Sequence, residues 1–112
     1  MTAATLPFSP TGLTVSFTAA ATVPTSAQAV STSPLSRPAY QYRIVNAGAE
    51  TVLLGVGSSD AIAIAAAASI GAGAVPILSG AVEVIGFPAG SYFTGKTASG
   101  TSVVYVTPGE GL

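Results

Sequence analysis

Turn-forming residues punctuate this chain every eight to twelve residues or so, and the apolar runs between them suit short strands better than long helices. NAGAE (46–50), GSSD (57–60), PAG (88–90) and TASG (97–100) supply Gly, Asn, Asp and Pro, which tolerate positive φ or fix a bend. Between the turns, apolar residues alternate with polar ones. In LTVSFT (13–18), Leu13, Val15 and Phe17 share one face. In AYQYRIV (39–45), Tyr40, Tyr42 and Ile44 oppose Gln41, Arg43 and Val45. TVLLGV (51–56) reads as the second arm of a hairpin with 39–45. VPIL (75–78) and AVEVIGF (81–87) flank a tight turn, and SYFTGK (91–96) with TSVVYVT (101–107) forms a last hairpin. AIAIA (61–65) suits a strand through its Ile pair and a short helix through its alanines, and the nearby glycines favour the strand. IGAGAVP (70–76) reads as a flexible loop. The sum is an all-β fold, a small antiparallel β-sandwich or barrel of jelly-roll type with an extended N-terminal arm. No fixed repeat is present, which excludes a solenoid.

Residues 1–38 differ from the rest. They mix Thr, Ser, Ala and Pro, and hold five of the eight prolines. This divides the chain into an arm with one or two edge strands (1–38, a second weak strand at 27–32) and a compact β-domain (39–112). The N-terminal third fits an edge strand with loops. It equally fits an arm laid along a neighbouring subunit, with Leu6 and Phe8 as anchors. Twelve extended residues would reach about 40 Å. At the other end, Pro108 is expected to end the last strand by withdrawing an N–H, with Gly109 and Gly111 turning the chain away and Glu110 hydrating the exit.

Only 6% of residues are charged and the net charge is −1, against roughly 25% charged in an ordinary domain. Nothing here attracts phosphate backbones or anionic lipid, so nucleic-acid binding is disfavoured. So weakly charged a surface favours association, and a component of an assembly is the natural reading. Cys, His and Trp are absent, which removes disulfides and most transition-metal designs and leaves no cofactor implied. The first 36 residues hold no charge, so a basic signal-peptide start is missing. The uncharged run 61–82 is long enough for a membrane span, but Gly71, Gly73, Pro76 and Gly80 break it and Ala dominates it.

No catalytic constellation can be assembled, and the chain reads as a non-enzyme. The carboxylates at 50, 60, 83 and 110 are isolated in sequence, no His serves as base, and Lys96 reads as a solvated turn residue. GSYFTGKT (90–97) carries the Gly and Gly-Lys-Thr spacing of a phosphate loop, but SYFTGK reads as a strand and TASG as a hairpin turn where that loop would require a helix. GVGSS (55–59), with no convincing helix after it, reads as a turn and not as a nucleotide fingerprint. Glu83 interrupts an apolar strand, either as an outward charge blunting an edge or as a partner for Arg43 or Arg37 across a subunit contact. The aromatics, one or two per strand, read as core, with the tyrosines suited to half-wet contacts.

QYRIVNAGAETVLLGVGSSDA followed by VPILSGAVEVIGFPAGSYFTGKTASGTSVVYVTPGEGL, over roughly residues 40–112, resembles small virion proteins of tailed bacteriophages. The matching pieces are RIVNAG, VPILSGAVEV and the ending YVTPGEGL. The resemblance implies a structural role on the capsid exterior: a decoration or cement protein that binds the assembled head and stabilises it. A tail or fibre accessory module recognising a host surface is the alternative. The partners implied are the major capsid protein or other virion proteins, with self-association as a dimer or trimer. No catalytic residue comes with such a family. The contact residues expected are Leu6, Phe8, Arg37, Arg43 and Glu83.

Overall fold

The computed structural model describes residues 9–10, 13–22, 27–28, 39–88 and 91–110. They form strands β1 (Ser9–Pro10), β2 (Val15–Ala20), β3 (Ala27–Gln28), β4 (Ala39–Asn46) and β5 (Val52–Gly57). A helix α1 (Asp60–Ala66) and a 3₁₀ turn (Ile70–Ala72) follow. The chain then runs through β6 (Val75–Ile77), β7 (Val82–Pro88), β8 (Tyr92–Lys96) and β9 (Thr101–Glu110). The fold is all-β, as the turn spacing implies. Its main sheet runs β6-β5-β8-β2-β9-β4-β7 and curls until it is nearly a closed barrel. The sheet is mixed, because β2 meets β8 in parallel through the single pair Ala20–Lys96, with the Thr97 N–H donating to the Ala20 carbonyl at 3.0 Å. The other pairings are antiparallel.

Both expected hairpins are overturned. β4 pairs with β7 and β9 and never with β5, while β5 pairs with β6 and β8. β8 and β9 also do not pair, because β2 lies between them. In both places the short connection crosses from one wall of the barrel to the other. The physical reason is burial: β4 and β5 each bring an apolar face to a shared core, and facing walls cover both faces at once. β2 is therefore central and not an edge. Its six residues pair with β9 from Val15–Val106 to Ala20–Thr101, and Phe17 and Ala19 are buried. Leu13, expected on the same face, precedes the strand and is exposed. An arm donated to a neighbour thus cannot include residues 15–20; Leu6 and Phe8 lie outside the described residues.

Pro108 does not end β9, which continues to Glu110, pairing with β4 through Gln41–Gly109 and with β1 through Ser9–Glu110. The Ala47 N–H donates to the Val103 carbonyl, so the odd-numbered residues of β9 bond toward β4. Proline at an even position costs that ladder nothing.

The 61–65 segment is helical rather than extended. Ser59 caps it, its Oγ accepting from the Ile62 N–H at 3.3 Å, and Asp60 places a negative charge in the first turn, where the helix dipole favours it. With alanine following, local propensity wins over the Ile pair. The helix lies directly on β5. A Cβ on Gly55 would meet the Ala63 carbonyl oxygen at 2.3 Å and the Ala67 nitrogen at 2.5 Å, so only glycine allows this approach.

The core is built from Phe17, Tyr42, Ile44, Leu54, Phe93 and Val106 with their smaller neighbours. Tyr42, Phe87 and Phe93 from β4, β7 and β8 meet in tilted and edge-on contacts at centroid distances of 4.9–6.2 Å. The Tyr42 hydroxyl donates to the Pro88 carbonyl at 3.1 Å. Asn46, fully buried, is the polar counterpart. Its amide donates to the carbonyls of Glu50 (2.8 Å) and Ile77 (3.0 Å), and its Oδ1 accepts from the Gly48 N–H (3.1 Å) and the Ser102 hydroxyl (2.9 Å). One side chain thereby ties β4, the 47–51 corner, β6 and β9 together.

Candidate interaction surface

The alternation that fills the core also decides what the outer face of β2-β9-β4-β7 carries. Register sets Val82, Val45, Tyr105 and Ser16 in one row across four strands. The next row holds Val84, Arg43 and Thr107, and Val103 lies opposite Thr18 beyond the first. Val82 is 51% exposed, Val84 47%, Tyr105 43% and Val103 37%. Val45 is half-buried among them. These residues have strand propensity without an inner role, and they form a contiguous apolar patch in which Arg43 is the charged side chain. On a free monomer such a patch is costly to hydrate, and patches of this kind mark contact surfaces. Thr14 and Thr107 share a hydroxyl hydrogen bond of 2.7 Å at its rim.

The expected contact residues separate. Arg43 stands within the patch. Glu83 is exposed on β7, as an edge-blunting charge should be, but it lies on the core side of the pleat, opposite Ile44, not on the outward side. Arg43 faces the other way, beside Val84, so the register does not bring Arg43 and Glu83 together within one chain. Arg37, like Leu6 and Phe8, lies outside the described residues. The valines of β7 and β9 were legible as strand residues only. Which of them faced outward required the pairing of β4 with both β7 and β9.

GVGSS does precede a helix, contrary to the turn reading. A nucleotide site on that pattern needs a parallel strand–helix–strand unit. Here β5 and β6 on either side of the helix are antiparallel, Gly55 is covered by α1, and Ser59 is occupied as the cap. Lys96 ends β8, half-buried, rather than standing free in a turn. Among the described residues no group of three or more His, Cys, Asp or Glu side chains is placed to hold a metal ion. No helix among them is long and apolar enough to cross a membrane. Comparison with models of protein families, with curated proteins and with solved structures found no match to this chain.

Proposed function

We propose that this chain is a structural protein of a bacteriophage virion, a decoration or cement protein that lies on the capsid exterior and stabilises the assembled head. The observation that carries the reading is the exposed apolar face of β2-β9-β4-β7, centred on Val45, Val82, Val103 and Tyr105. It is a broad, low-charge surface on a rigid sheet, suited to covering part of a larger protein surface. It offers no pocket-bound chemistry in itself. A protein that binds only the assembled shell stabilises that shell by mass action, which needs area and copy number and no catalytic group. The resemblance of residues 40–112 to small phage virion proteins points the same way. On this reading the partner is the major capsid protein, with Arg43 marking the orientation of docking by its charge.

The test is the copy number of the chain in purified virions, by quantitative mass spectrometry against the major capsid protein. A stoichiometry comparable to that protein supports the shell-coating role. A few copies per particle would move the chain to the neck, tail or fibre, and absence would end the virion reading. Where the chain coats the shell, Tyr105→Ser is expected to weaken binding to capsids lacking the protein by about tenfold or more, since exposed aromatics at contact centres carry a disproportionate share of affinity.

A further inference from the structure

The edge of β7 has a bonding pattern of its own, separate from the outer face. The Asn46 N–H donates to the Ala81 carbonyl at 3.0 Å, which fixes the parity of the β4–β7 ladder. Glu83, Ile85 and Phe87 direct their backbone groups toward β4, while Val82, Val84 and Gly86 direct theirs away from it. Among the described residues no strand pairs with that second edge, and Val82, Val84 and Gly86 are all exposed. The free set is bounded at both ends. The Gly80 and Ala81 N–H groups are taken by the carbonyls of Asn46 and Leu78. Pro88 has no N–H, and its carbonyl already accepts from the Tyr42 hydroxyl and from the Ser91 hydroxyl at 2.6 Å.

We infer that β7 pairs antiparallel with β7 of a second copy across a two-fold axis through Val84. Three residues, each offering one donor and one acceptor, are symmetric about that axis: Val84 meets Val84, and Val82 meets Gly86. Every free backbone group of the edge finds a partner and none is left over. Gly86 leaves room opposite Val82. Glu83 falls opposite Ile85 and only diagonal to its own copy, so like charges are not placed face to face. At a net charge of −1 the two copies do not repel strongly. The result is a closed dimer with one sheet continuous through both copies, and pairing consumes the edge, so growth stops there. An interface of two seven-residue strands is small, which places the dimer in the micromolar class. The inference stands whether or not the chain belongs to a capsid.

The chain contains no cysteine, so the test is clean. In the full chain, Val84→Cys places two thiols at a hydrogen-bonded pair with Cα atoms about 5.5 Å apart, within disulfide reach. Val82→Cys, equally exposed, places them about 14 Å apart. Under mild oxidation Val84→Cys is expected to cross-link about tenfold faster or more. Sedimentation equilibrium of the wild type across the micromolar range should show monomer and dimer. Val84→Pro removes an N–H that β4 does not use, and it should weaken the dimer at least about tenfold with the circular dichroism unchanged. If that variant misfolds, the cysteine pair decides alone. A wild type that stays monomeric or forms trimers, or cross-linking of Val82→Cys or Ile85→Cys as fast as Val84→Cys, would overturn the inference.

Discussion

Asn46 shows how much one residue contributes here. Its amide satisfies two carbonyls from different segments, and its oxygen accepts from a backbone N–H and a hydroxyl. Truncation would take a donor from the Ile77 carbonyl and an acceptor from the Gly48 N–H, leaving the Glu50 carbonyl to the Ser102 hydroxyl at 3.1 Å, and buried groups left unpaired cost their full desolvation. Asn46→Ala is expected to destabilise by about 2–4 kcal/mol, read from denaturant midpoints at constant slope. Asn46→Asp should cost at least as much, because a carboxylate cannot donate to those carbonyls. Gly55 is the second such position. Gly55→Ala drives a methyl into the α1 backbone, and a loss of about 1–3 kcal/mol is expected. Gly71→Ala, whose nearest neighbour would be the Ser69 Oγ at 3.8 Å, should stay within about 0.5 kcal/mol of wild type.

At the scale of elements, α1 shows local and tertiary signals agreeing once the right signal is read. Seven residues do not make a stable helix alone. Capping by Ser59 and packing of Ala63 and Ala67 on the bare backbone of β5 hold it. Ser59→Ala should cost about 1 kcal/mol, and protection of the Ile62 amide from hydrogen exchange should fall before that of β5. The β6–β7 connection is a related case. Gly80, at φ 73°, closes a four-residue turn in which the Ala81 N–H reaches the Leu78 carbonyl at 3.0 Å. The strands on either side nonetheless join different walls. Turn residues specify that the chain reverses; they do not specify which strands then pair.

For the molecule as a whole, the two walls meet in parallel, among the described residues, only at Ala20–Lys96 but share one core. Tyr42, Phe87 and Phe93 span them, so the walls should unfold together. Far-ultraviolet circular dichroism and tyrosine fluorescence are expected to report one coincident transition; separate midpoints would mean that the walls unfold independently. Phe93→Ala, removing the side chain both others touch, should lower stability by about 3–5 kcal/mol.

The sequence by itself determined the strand-rich class, most of the strand and turn positions, and which residues of β4 share a face. A period of two is a backbone property that survives in any β environment. It also determined the scarcity of charge, and hence a surface inclined to association. Tertiary structure alone decided that β2 lies at the centre, that neither expected hairpin forms, and that Val82, Val84, Val103 and Tyr105 share an outer face. Alternation says which residues lie on the same side of a strand, not which side faces the core or which strand lies next to it. Those choices are made by how the apolar faces of non-adjacent strands bury one another, and by single buried groups such as Asn46, whose partners lie up to 56 residues away along the chain.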